Sequence, residues 1–428
     1  MELYVIPFED RFLVYRPLRR LAFIANAALV RYLQDGAARK RHPRKSIEAF
    51  LAAIRFWDPD PPSPAEWQPS AEHRPTHAVL LMTSLCNLRC TYCYASAGEG
   101  PRIGMNLSVA SAAIDAVCEN ARVRGQETFG VSFHGGGEPI LNWDVFTAAV
   151  AYAKGKDRPC RFSLATNGVW TSSQRDFILE NVHNVTLSFD GVREVHDLQR
   201  PRADGRGSFD AVMETMATLD ASTVHYGVRM TATPGTFHLL PASVGLLCRQ
   251  TRCPTFQVEP CYSPTRGEHR DPSPEEALAF ARAFRAALAV ARAAERQLSY
   301  SGARPWAITA AFCEAPETAL VVTPEGDVVT CYETYDRRHP LISRFTIGRV
   351  AEQGVSVDMS KLRSFASMQA ARRTSCEGCF SYWHCGGDCA TRCLSSPGEN
   401  RGRCIANREI NRHLLAACVE TGGGVWMG

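Results

Sequence analysis

The chain has 428 residues, 45% of them hydrophobic, and its 48 basic against 44 acidic side chains leave a net charge of only +4. That length exceeds one ordinary domain and supports a sizeable core, while so small a charge excess marks no nucleic-acid surface. The opening MELYVIPFEDRF carries acids where a signal peptide is basic and then apolar. No run approaches the roughly 18 apolar residues of a membrane span, so a cytoplasmic location with no membrane or nucleic-acid partner is expected.

Residues 1–57 read as a small α+β unit. DRFLVYRPLRRLAFIANAALVRYLQDG gives two short strands, a polar turn and an amphipathic helix ending near Gly36, and SIEAFLAAIRFW gives a second helix. Between the helices lies a basic run, Arg39, Lys40, Arg41, Arg44 and Lys45. It suits either a solvated face or an acidic peptide. Residues 58–76 hold six prolines and read as a stiff linker. Over 77–300, strand-like runs at 77–84, 129–136, 161–167, 184–191, 226–233 and 255–260 alternate with helical patterns at 108–123, 145–154, 173–181, 208–219, about 239–249 and 275–298. Such units imply a parallel sheet with right-handed crossovers. Six are too few to close an eight-stranded barrel, so an open, partial (β/α)6 TIM-like barrel is expected, with its site at the C-terminal strand ends.

Seventeen cysteines in a reducing compartment argue for ligation rather than disulfides. CNLRCTYCY places Cys86, Cys90 and Cys93 just after the first barrel strand. A structural zinc takes four ligands, and no fourth stands near. Three thiolates on a cubic iron–sulfur cluster leave one iron free to bind something else. Cys-x3-Cys-x2-Cys with Tyr92 before the last cysteine resembles the radical S-adenosylmethionine enzymes. The resemblance implies a [4Fe-4S] cluster whose free iron chelates the methionine moiety of S-adenosylmethionine, and a reduction that yields a 5′-deoxyadenosyl radical. It also gathers further residues around that cofactor. Gly135, Gly136, Gly137 and Glu138 follow the second strand as the GGEP element that contacts the amino group. Ser188, Asp190 and Arg200, in the order SFDG, His196-Asp197, Arg200, resemble the peptide-modifying branch, in which polar side chains hold the ribose and carboxylate. Ser208 reads as the cap of the following helix.

The second array occupies 301–410, before a C-terminal tail at 411–428. Cys313, Gly326-x4-Cys331, Cys376-x2-Cys379-x5-Cys385-x3-Cys389 and Cys404 resemble the SPASM extension of radical enzymes. By that resemblance Cys376, Cys379, Cys385 and Cys404 hold one auxiliary iron–sulfur cluster, and Cys313, Cys331 and Cys389 a second, both expected to be [4Fe-4S]. The second lacks an assigned fourth ligand; Cys393, an open iron or the substrate are the options. VVTPEGDVVTCYE reads as a β-hairpin carrying Cys331. Cys-x2-Cys is also zinc spacing, which leaves a zinc ribbon as the alternative.

The resemblance as a whole implies a peptide maturase that removes hydrogen from a ribosomally made precursor and installs a crosslink or other oxidative change, fed by an electron donor such as flavodoxin or ferredoxin. Residues 1–57 resemble the leader-binding domains of the pyrroloquinoline-quinone D type, or serve as a structural cap. The alternatives are an anaerobic sulfatase-maturing, formylglycine-forming enzyme, and an epimerase in which Cys261, at the end of the sixth strand, donates a hydrogen atom. Of a different class is a zinc-binding interaction protein without catalysis.

Overall fold

The computed structural model describes residues 1–35, 44–351, 354–395 and 402–428; Arg39, Lys40 and Arg41 of the basic run lie outside the described residues. At the N-terminus β1 (Tyr4–Phe8) precedes the two expected strands, β2 (Arg11–Arg16) and β3 (Leu21–Ala25), and all three pair antiparallel. The helices α1 (Ala27–Gln34) and α2 (Lys45–Ala53) follow, the first capped by the Asn26 side chain, which accepts from the Leu29 amide. Val14, Phe23, Leu33, Leu51 and Phe56 close a small core between sheet and helices.

From Asp58 to Thr76 the backbone has no helix or strand, and this stretch packs against the rest of the chain. Arg16, fully buried, reaches Asp60 at 2.5 Å, and Trp67 packs on the barrel core.

The barrel strands are β4 (His77–Leu81), β5 (Phe129–His134), β6 (Cys160–Thr166), β7 (Asn184–Ser188), β8 (His225–Ala232) and β9 (Thr255–Pro260), each parallel to the next. One face of each packs under helices: Phe133, Phe146 and Phe162 stack there, with ring centroids of the first two 4.4 Å apart. The long helix after β9, α3 (Pro274–Ala293), starts at a capping box between Ser273 and Glu276. The helical pattern over 275–298 overshoots. Glu295 turns left-handed at φ 55°, and Gln297–Ser299 leaves the helix as β10, parallel to β9.

At the other edge β11 (Ala319–Val322) lies parallel to β4 and forms the expected hairpin with β12 (Asp327–Val329). β13 (Thr346–Ala351) and β14 (Gly354–Val357) extend it antiparallel, giving one eleven-stranded sheet, open between β10 and β14. The C-terminal region therefore continues the barrel sheet.

Residues 411–428 are no loose tail. The helix α4 (Gly402–Thr421) runs through the expected boundary, and β15 (Val425–Met427) pairs with β3 as fourth strand of the N-terminal sheet. Leu415, Ala416 and Val419 pack on Ile6, Phe8, Leu13 and Tyr15. Period-2 and period-3.6 patterns do not reveal such pairing, because a three-residue strand has too few alternations to read.

Candidate functional site

A cavity of about 690 Å3 opens at the C-terminal ends of the barrel strands. Cys86, Cys90 and Cys93 line one side, in the loop that leaves β4, as expected for a parallel α/β sheet. Cys313, Cys331, Cys389 and Cys261 line the same cavity. Two distant cysteine arrays thus face one space.

The glycine run after β5 is shaped by close approach. The Gly137 amide donates to the Thr83 carbonyl at 2.9 Å, and a Cβ on Gly137 would lie 2.1 Å from the Leu85 carbonyl oxygen. Only glycine lets this strand end lie against the cysteine loop. Gly135 and Gly136 line the cavity beside it, as does Glu138. Glu138 is buried and accepts from the Thr166 hydroxyl and the Asn167 amide, each at 2.7 Å. Burial pushes its carboxyl up to about 7, against these two bonds. Its carboxylate therefore ties the end of β5 to the end of β6.

Tyr92 lines the cavity and holds a chain of polar contacts behind it. Its hydroxyl accepts from Arg200 at 2.5 Å and donates to Asp190 at 2.7 Å, and Asp190 also accepts from Gln199 and from the Thr231 amide, each at 2.9 Å. Asp190 is buried and does not line the cavity; in this geometry it fixes Tyr92. Arg200 and Ser188 do line it, and the buried Nε of Arg200 has no partner. Ser208 does not cap its helix. Its hydroxyl donates to the Arg200 carbonyl at 2.6 Å, and the amides of Ser208 and Phe209 are capped instead by the Asp197 carboxylate at 2.8 Å. The carboxylate reaches two orphan amides where the serine hydroxyl would satisfy one.

The remaining C-terminal cysteines lie away from the cavity. Cys385 is buried, and its thiol feels Cys379, Cys376 and Cys404, which sets these four together. Cys331 meets the Thr391 hydroxyl at 3.0 Å and feels Cys389. Cys393, an option for fourth ligand, does not line the cavity; it accepts from Arg372 at 2.9 Å. The loop between the groups is built tightly. Gly386 has φ 60°, and a Cβ there would lie 2.3 Å from the Ala311 carbonyl carbon. Asp388 and Arg403, 2% and 6% exposed, pair through two bonds of 3.0 Å. Burial raises the Asp388 carboxyl, and Arg403 more than reverses this, holding it at about 2. Neither residue was singled out by sequence reasoning.

These residues fit iron–sulfur clusters and their organic partner. The donor sets are thiols, and burial pushes Cys86 and Cys404 up to about 12 and Cys389 to about 11, so as thiolates they require a cationic core beside them. A lone tetrahedral ion draws its ligands to one point, whereas each corner of a cubic cluster takes its own thiolate. Among the described residues no three His, Cys, Asp or Glu side chains converge as ligands of a single ion. The partnerless Arg200 Nε, in a residue that lines the cavity and acts on Cys90, leaves a donor for a polar ligand there.

Comparisons with known proteins agree. The family model described as the radical SAM superfamily matches residues 80–237, and the iron-sulfur cluster-binding domain called SPASM matches 313–380. Among curated proteins, the cysteine-type anaerobic sulfatase-maturating enzyme of Clostridium novyi is 27% identical over 34% of this chain and 40% of its own length. Fe-coproporphyrin III synthase of Methanosarcina barkeri is 29% identical over 40% of each. The chain spans 40–53% of the length of the curated relatives it matches. In fold it is similar to anSMEcpe with bound AdoMet, at TM-score 0.65, 19% identity and coverage of 81% of this chain and 95% of that one. It is also similar to Streptococcus suis SuiB bound to S-adenosylmethionine, at TM-score 0.52, 12% identity and coverage of 92% and 97%. No helix among the described residues is long and apolar enough to cross a membrane. The cavity, its two thiol arrays and both family matches lead to one conclusion: the chain belongs to the radical S-adenosylmethionine enzymes and carries a SPASM domain, with S-adenosylmethionine, a [4Fe-4S] radical cluster and auxiliary iron–sulfur clusters as its cofactors.

Proposed function

We propose that this enzyme is a peptide or protein maturase, which removes a hydrogen atom from a residue of a bound peptide and releases an oxidised product such as a crosslink. The observation that carries this reading is the shared cavity: Cys86, Cys90 and Cys93 face the same space as Cys313, Cys331 and Cys389. When bound, S-adenosylmethionine and the reduced cluster supply a 5′-deoxyadenosyl radical, and auxiliary clusters supply a route for the electron that oxidation of the product leaves over. In this reading Cys86, Cys90 and Cys93 hold the radical cluster, and Arg200 and Ser188 orient the cofactor with Tyr92 at their back. Cys376, Cys379, Cys385 and Cys404 hold one auxiliary cluster, and Cys313, Cys331 and Cys389 the other. A neighbour in fold, anSMEcpe, has been solved with AdoMet and a peptide called Cp18Cys, which supports a peptide-sized occupant.

A formylglycine-forming reading stands beside it, favoured by the partial match to the sulfatase-maturating enzyme. There a cysteine residue would lose its sulfur as sulfide, take a carbonyl oxygen from water and give up two hydrogens. Cys261 lines the cavity and supports a third outcome, in which its thiol returns a hydrogen atom to the peptide. A leader peptide would add to the N-terminal sheet at an outer edge, β1 or β15, because β2 and β3 are paired on both sides.

The test is anaerobic incubation of the reconstituted enzyme with S-adenosylmethionine, a reductant and a panel of candidate peptides, followed by product mass. Loss of two hydrogens supports the crosslink. Exchange of cysteine sulfur for oxygen together with loss of two hydrogens supports formylglycine. An unchanged mass in ordinary water, with one deuterium gained in deuterated water, supports epimerisation through Cys261. Formation of 5′-deoxyadenosine with no change in any peptide would overturn the maturase reading.

A further inference from the structure

Arg229 sits in the middle of β8, whose burial alternates: Val228, Met230 and Ala232 pack into the core, while Arg229 and Thr231 belong to the opposite, lumen-facing phase. Arg229 lines the cavity and is exposed. The other arginines of the cavity wall are engaged: Arg403 with Asp388, Arg392 with Glu333, Arg270 with Glu276, Arg372 with backbone carbonyls and Arg200 with Tyr92. Among the described residues the side chain of Arg229 alone of these makes no hydrogen bond or ion pair.

No carboxylate among the described residues stands within ion-pair distance of Arg229. On β7 its register partner is Ser188, and on β9 it is Gln257. The lumen carboxylate on β9, Glu259, is occupied: it accepts from Gln257 at 2.9 Å, from the Ser301 amide at 3.1 Å and from the Ser301 hydroxyl at 2.9 Å. In an open cavity water screens the guanidinium at little cost. Once a substrate fills the lumen and expels that water, an unpaired cation there becomes expensive unless the substrate carries the matching anion. A fork of donors beside the Thr231 hydroxyl on the same face of β8 matches a carboxylate.

Resting on the reading that a peptide enters this cavity, we propose that Arg229 anchors a carboxylate of the substrate, an acidic side chain or a peptide C-terminus, beside the residue that is attacked. The other carboxylate available is that of S-adenosylmethionine, which belongs beside the cysteine loop. Arg200 bonds the hydroxyl of Tyr92 in the cysteine loop at 2.5 Å, whereas Arg229 stands on β8 with Gln257 of β9 as its neighbour. Arg200 therefore suits the cofactor and Arg229 the substrate.

The experiment uses the reconstituted full chain saturated with S-adenosylmethionine. N-acetylglutamate amide and its isostere N-acetylglutamine amide serve as probes, with binding read by ligand-observed NMR. The wild type should hold the acid at least ~10-fold tighter than the amide, as expected for a charge-assisted fork. R229Q should erase that preference and R229K retain part of it, with the cluster absorbance showing intact folding. Equal binding of the two probes by the wild type, or an acid preference that survives in R229Q, would overturn the assignment. A ~10-fold weaker affinity of R229Q for S-adenosylmethionine, measured by equilibrium dialysis, would assign the arginine to the cofactor's carboxylate and overturn the substrate role. The probes are single amino-acid derivatives, so their failure leaves the peptide reading standing, and failure of every peptide with the acid preference intact leaves this site standing.

Discussion

Cys86, Cys90 and Cys93 occupy one loop after β4, so their relative placement is a local property of eight residues. Cys313, Cys331 and Cys389 reach the same cavity from three separated stretches, and Cys376, Cys379, Cys385 and Cys404 gather behind them. The first array needs only the barrel strand that presents it. The second needs the packing of the whole C-terminal region: the left-handed Gly386, the buried Asp388–Arg403 pair, and α4 wedged between the barrel and the N-terminal sheet. Clusters held locally and clusters held by tertiary structure should therefore fail in different ways.

The largest effect separates the arrays outright. Replacing Cys86, Cys90 and Cys93 together with alanine should lower 5′-deoxyadenosine formation by more than ~1,000-fold while iron and sulfide of the auxiliary clusters remain, since removal of the ligands removes the bound chemistry. Unaltered cleavage would break the comparison at its first term. The converse change, Cys376→Ala with Cys379→Ala, should reduce peptide product by at least ~100-fold and reduce cofactor cleavage far less. Equal product from that variant would make the second array a structural ornament of the fold.

A subtler change tests whether tertiary packing holds the second array. Asp388→Asn keeps a side chain that tolerates the positive φ of 65° but strips the charge opposite Arg403. Breaking a buried pair in this way costs about 3–5 kcal/mol, so auxiliary iron should be lost on mild chelation before the iron held by Cys86, Cys90 and Cys93. Loss of both at the same chelator concentration would show one cooperative unit. The smallest effect concerns the support behind the first array. Tyr92→Phe removes the hydroxyl that joins Arg200 to Asp190, and should weaken S-adenosylmethionine by about fivefold, the roughly 1 kcal/mol of a typical net hydrogen bond. No change in affinity would leave Tyr92 as packing.

Periodicity and spacing made much of this visible. The six parallel strands followed from alternating strand and helix patterns, and the strand-end rule put CNLRCTYCY at the mouth. What stayed hidden depends on contacts that no local window contains. β15 joins β3 across the length of the chain, and β10 was absorbed into a helical pattern that only the turn at Glu295 interrupts. Asp190 carries the expected motif but faces Tyr92 rather than the cavity, a matter of one side chain's direction. Asp388 follows two glycines, and its pairing with Arg403 crosses fifteen residues. Arg229 left a readable trace, an arginine in the otherwise apolar phase change of YGVRMTA, whose meaning required knowing which face lines the lumen.

The most direct test of a shared reaction space is isotope transfer. The reconstituted enzyme would be given S-adenosylmethionine, reductant and a candidate peptide deuterated at its side chains and α-carbons, and the 5′-deoxyadenosine analysed by mass. Deuterium appearing in the nucleoside, accompanied by a modified peptide, is the predicted result. A modified peptide with nucleoside free of deuterium would contradict hydrogen abstraction from the peptide and, with it, the role given to the cavity.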